Sequence, residues 1–209
     1  MYCSNCGTKA SGNFCSGCGH RLTPPEIAGT EPSPPPAGNW EDEVDPKALL
    51  ARPEIRELVQ RNAAQADKPI PGEEYMKLFE KFASMPLPTG ALVNVVHPVF
   101  SKLGVKTGKT RTEYVPAPPG RVLASLFCLL ARKGRKVLDM ERAKEGCVVT
   151  AELPSDLLTM AGKLVVAVER TPTGTRVEAA TAIKGQYFDW GKSTRCLNEL
   201  FEALAKPPG

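Results

Sequence analysis

At 209 residues the chain has room for one large domain or two small ones. Its apolar fraction of 42% and charged fraction of 24% are ordinary for a soluble globular protein. A net charge of +4 is too small to assign a nucleic-acid or membrane partner from the total alone. The longest strongly apolar run, residues 122–131, is about half of what a membrane crossing needs, so no membrane insertion is expected. Met1 leads at once into a cysteine-rich turn instead of a basic and then apolar stretch, so no secretory signal is expected. Seven cysteines, three of them isolated, suit a reducing compartment, and the expected location is the cytoplasm.

Near its start the chain carries Cys3-Ser-Asn-Cys6-Gly7 and, with eight residues between Cys6 and Cys15, Cys15-Ser-Gly-Cys18-Gly19. A Cys-x-x-Cys pair sets two thiolates on one tight turn, and two such turns facing each other offer four sulfurs to a tetrahedral ion. Zn²⁺ suits that set, since it accepts thiolates at about 2.3 Å and imposes no geometry of its own. Gly7 and Gly19 supply the positive φ that lets peptide N–H groups turn toward the sulfurs. Four thiolates close the coordination sphere, so a metal held by Cys3, Cys6, Cys15 and Cys18 is structural and not catalytic. His20 is then an exposed neighbour. The competing reading is two disulfides or a redox pair, but redox chemistry wants a single motif in a strand–helix context. A segment with so little apolar material needs a cross-link to fold, and metal supplies ~10–16 kcal/mol in comparable peptides.

Residues 1–22 resemble the short zinc-ribbon module found at the N-terminus of many bacterial and archaeal proteins. The resemblance implies a small β-hairpin with a knuckle at each end, Phe14 and Leu22 as its few packing residues, and a docking or stabilising role. It implies no single activity.

Residues 23–44 follow as a linker. Pro24, Pro25, Pro32, Pro34, Pro35 and Pro36, with Gly29 and Gly38, leave too little apolar surface to offset ordering entropy. Glu41, Asp42, Glu43 and Asp45 extend it as a solvated acidic stretch. Trp40 stands out within it, with two readings: an anchor packed on the main domain, or a docking residue for a partner.

Residues 45–85 read as helical. Asp45-Pro46 is an N-cap followed by proline at the first helical position. Pro53 starts a second helix that places Ile55, Leu58, Val59 and Asn62 on one face, and Tyr75, Leu78, Phe79 and Phe82 repeat the spacing over 73–84. Whether this segment packs on the following domain or on another chain is left open.

Residues 86–209 are expected to form an α+β domain, an antiparallel sheet with helices on one face. After an irregular proline-rich stretch a strand is predicted over 110–115, then a buried helix over 120–131. Strands are predicted over 137–141, 147–153, 163–170 and 175–185, and a last helix over 193–205. Alternation sends Cys147, Val149, Ala151 and Leu153 to one face, and Thr171-Pro-Thr-Gly174 is a hairpin turn. The order resembles helix-grip and related two-layer α/β domains of small bacterial proteins, which brings no catalytic residues with it.

Other motifs have bland readings. Gly104-Val-Lys-Thr-Gly108-Lys109-Thr110 has three residues between its glycines where a phosphate loop has four, and a strand in place of the helix that should follow. Lys102, Lys106, Lys109, Arg111, Arg121, Arg132, Lys133, Arg135 and Lys136 face Glu113 alone between 101 and 136. Such a run attracts nucleic acid, or else it meets acidic groups of its own chain or is simply solvated, and the solvated or self-complementary reading is favoured. His97 in its apolar stretch reads as packing, and Cys128, Cys147 and Cys196 read as small hydrophobes. The expected protein is a non-enzymatic zinc-binding adaptor with protein partners; the alternatives are nucleic-acid binding and small-ligand binding in the α+β domain.

Overall fold

Helix boundaries in this chain are set by proline. Asp45 accepts a hydrogen bond from Lys47 N at 2.9 Å, Pro46 follows at the first helical position, and α1 runs Pro46–Ala51. Pro53 holds Arg52 in an extended conformation, because a residue before proline is pushed out of the helical region. That break separates α1 from α2, Pro53–Ala64. The remaining elements are β1, Thr110–Val115; α3, Pro119–Arg132; β2, Val137–Ala143; β3, Gly146–Leu153; β4, Gly162–Thr171; β5, Gly174–Ile183; and α4, Lys192–Leu204. This computed structural model describes residues 6, 8–9, 16–18, 39–66, 109–155, 160–183 and 191–208. The helix predicted over 73–84, the irregular stretch to 108 and the segment entering α4 lie outside them. The chain divides into two compact units, Met1–Pro36 and Ala37–Gly209.

The larger unit is α+β. Its sheet has the order β1-β5-β4-β3-β2, antiparallel throughout. Strands β2 to β5 form a meander, with Gly174 (φ 148°) turning β4 into β5 in the predicted Thr171–Gly174 turn. Strand β1, first in the chain, completes the sheet beside β5, with Thr110 opposite Ala180 and Val115 opposite Thr175.

α3 is the centre of the core. Every residue from Val122 to Ala131 is buried, as a helix apolar on all sides requires. It packs on α1 and α2, on α4, and on strands β4 and β5. Leu49, Ile55 and Val59 of α1 and α2 share one hydrophobic cluster with Leu123, Phe127 and Leu130 of α3, Met140, Val149 and Val166 of the sheet, and Leu200 of α4. Asn62 closes this contact. It accepts from Arg132 Nε and Nη2 at 3.1 and 2.6 Å, and donates to Leu58 O at 2.9 Å. Residues 45–66 therefore pack on the domain that follows them.

Trp40 is an anchor of the same kind. Asn39 caps a 3-10 turn, Trp40–Asp42, whose backbone lies on α3. A Cβ on Gly120 would meet Trp40 O at 2.0 Å, so only glycine permits the approach. Arg142 of β2 binds Asp45 at 3.0 Å, and Arg170 of β4 donates to Asp42 O.

Burial in the sheet is not confined to its helix-facing side. Val165, Ala167 and Ala180, opposite the helix-facing positions, are also buried. Glu178, in register with Ala167, is 6% exposed and paired to Arg176 at 3.2 Å, which also holds Glu169 at 3.2 Å. Leu164-Val-Val-Ala-Val168 is an uninterrupted apolar run, which is the mark of a strand covered on both sides.

Candidate metal centre

Of the four predicted ligands, Cys6 and Cys18 fall among the described residues; Cys3 and Cys15 lie outside them. Both described sulfurs are on exposed turns. The two turns meet at Thr8. Cys6 Sγ donates to Thr8 Oγ1 at 3.3 Å, and a Cβ on Gly17, the residue before Cys18, would lie 3.0 Å from the same oxygen. Eleven residues lie between Cys6 and Cys18, yet the Thr8 side chain bonds to one knuckle and stands where any side chain at Gly17, in the other, would meet it. Thr8 and Gly17 were not singled out in the sequence; their contact is long-range and leaves no periodic signal. Among the described residues no group of three or more His, Cys, Asp or Glu side chains is placed to hold a metal ion. His20 and His97 lie outside them.

The larger unit's cysteines have a different chemistry. Burial pushes the Cys128 thiol up to about 11, against the opposing pull of Arg132 and Arg61. Burial likewise raises Cys147 and Cys196, although Arg135 donates to Cys196 Sγ at 3.4 Å and favours its thiolate. Thiols held protonated in this way are poor ligands and nucleophiles.

The basic run is largely engaged within the chain. Arg111 reaches Glu113 of its own strand, donates to Asn198 at 2.9 Å and lies over the Phe201 ring at 4.8 Å. Lys133 and Arg135 converge on Glu199 of α4 at 3.1 and 3.4 Å, and Arg132 is held by Asn62. Lys109 Nζ donates to Thr194 at 2.6 Å, and β1 begins at Thr110, so a strand follows Gly108-Lys109 as the sequence suggested. Another glycine–lysine pair opens the last helix. Gly191, at φ 78°, precedes Lys192-Ser193 at the start of α4. Lys192 is buried, and its ammonium donates to Pro154 O at 2.6 Å and Met160 O at 3.2 Å, tying α4 to the β3–β4 connection.

Comparison of the chain with protein-family profiles, curated proteins and solved structures finds no match in any of the three. Among the described residues no helix is long and apolar enough to cross a membrane.

Proposed function

We propose that this protein is a zinc-binding, non-enzymatic adaptor. Cys3, Cys6, Cys15 and Cys18 hold one structural Zn²⁺, and the module so formed docks on a protein partner while Ala37–Gly209 folds as the body that carries it. The observation that supports the reading is the pair of Cys-x-x-Cys knuckles with eight residues between them, whose described halves meet at Thr8. The Thr8 hydroxyl, which accepts from a Cys6 thiol, is equally placed to donate to a thiolate, and such outer hydrogen bonds orient metal ligands. A closed thiolate set leaves no position for substrate, and the role that remains for the module is a shaped surface. Joined to the larger unit, that surface is concentrated near whatever the body binds.

Elemental analysis of the purified full chain tests the metal: one zinc per chain is expected, and none in the Cys6→Ser/Cys18→Ser double variant. Affinity purification from the source cells tests the role. Loss of a partner with the double variant supports docking through the zinc module; recovery of every partner unchanged argues against an adaptor. Nucleic-acid binding through residues 102–136 is the weaker reading, since Arg111, Arg132, Lys133 and Arg135 already have partners in their own fold.

A further inference from the structure

Among the described residues β1 is an edge strand with an open ladder. Thr181 N donates to Lys109 O at 3.1 Å in the register that sets Thr110 opposite Ala180. Hydrogen-bonded pairs alternate along an antiparallel ladder. Arg111, Glu113 and Val115 therefore turn their peptide groups toward β5, and Thr110, Thr112 and Tyr114 turn theirs outward. These three residues are exposed, Tyr114 at 70%. Among the described residues no strand pairs with this outer edge. The opposite edge is blunted: β2 carries a register irregularity between Val137 and Asp139, a common protection against edge pairing. β1 has none, and all six of its residues are in register with β5.

An open, regular edge is a template for another strand, and the charges on β1 select which one. Laid antiparallel on a second β1 with Thr112 opposite Thr112, every outward peptide group meets an outward peptide group. Arg111 then lies opposite Glu113 in both directions, and Thr110 opposite Tyr114. Sliding by two residues one way sets Arg111 against Arg111; sliding the other way sets Glu113 against Glu113. Like charges directly opposite are destabilising and opposite charges favourable, so only the Thr112-centred register is satisfied. Arg111 is already held at the edge by Asn198, the Phe201 ring and Glu113 of its own strand, so the dimer would bring two such pairs together as one alternating four-charge cluster.

We propose that β1 pairs with β1 of a second copy about a two-fold axis at Thr112, joining two five-stranded sheets into one continuous sheet. The contact is isologous, as two-fold dimers require.

Sedimentation equilibrium of the full chain tests it. A species of twice the chain mass is expected, dissociating on dilution. Thr112→Pro deletes an N–H that points away from β5, a position where an edge strand tolerates proline. It removes both central intermolecular hydrogen bonds, and the dissociation constant rises about thirtyfold. Glu113→Arg sets arginine against arginine and also shifts the protein to monomer, while Arg111→Glu combined with Glu113→Arg restores the dimer. A wild-type chain that stays monomeric at every concentration overturns the proposal. So does dimerisation of folded Thr112→Pro and Glu113→Arg with wild-type affinity, which would place the contact elsewhere.

Discussion

Cys128, Cys147 and Cys196 are 3%, 2% and 3% exposed, and desolvation holds their protons on. An unfolded chain releases a thiol proton near pH 9.0, whereas folded Cys128 keeps its proton to about 11. The folded state is the one that binds the proton, so this contribution to stability is complete below pH 9 and is lost as pH rises through 11. Replacing Cys128 by alanine should lower stability at every pH but make the fall of Tm between pH 9 and 11 shallower, as measured by circular dichroism melts. An unchanged slope would show that the thiol does not ionise on unfolding. Thiol-reagent titration at neutral pH separates the two kinds of cysteine in the same way. With metal chelated, Cys3, Cys6, Cys15 and Cys18 should react in the native protein, and the three core thiols only after denaturant is added.

α1 and α2 are too short to be stable alone in water, and burial of Leu49, Ile55 and Val59 against α3 accounts for their persistence. Leu49, fully buried, should cost about 2–5 kcal/mol on replacement by alanine, read from urea denaturation midpoints. The turn over α3 makes a sharper test. Gly120→Ala improves helix propensity by about 1 kcal/mol, yet its Cβ would stand 2.0 Å from Trp40 O. The steric conflict outweighs the propensity gain. The variant should melt at lower temperature, and Trp40 emission, followed in a Trp190→Phe background, should shift to the red as the 39–45 segment lifts away. A rise in Tm would mean that the segment yields without cost.

The chain divides into two compact units, Met1–Pro36 and Ala37–Gly209, and among the described residues the hydrophobic cluster lies in the second. The metal proposed for the four N-terminal cysteines would stabilise the unit that holds it. Chelation of the full chain should leave the main thermal transition in place, and a chain beginning at Ala37 should unfold cooperatively at the same temperature. A large common shift on chelation would instead require that the two units stabilise each other. Dimerisation through β1, by contrast, adds to the second unit and makes its Tm depend on concentration.

Local chemistry was legible from the residues. Asp45-Pro46, Pro53 and Thr171–Gly174 mark boundaries because caps, prolines and glycine turns act within four residues of themselves, and the strands of the meander show as short apolar runs between turns. The Cys-x-x-Cys spacing is local in the same sense, since the metal knuckle proposed for it would be a property of one turn. What the chain order concealed are contacts between distant residues. Nothing near Thr110 indicates that it lies beside Ala180, nothing near Gly120 foretells the backbone of Trp40, and Asn62 looks like any polar residue on a helix until Arg132 meets it. Burial of both faces of β4 and β5 is equally a property of what the fold places over them. Propensity and turn chemistry operate along the chain, so one sequence suffices to find its elements. Packing and pairing operate across space, where each side chain's partner is chosen by the other elements, and only the folded arrangement names it.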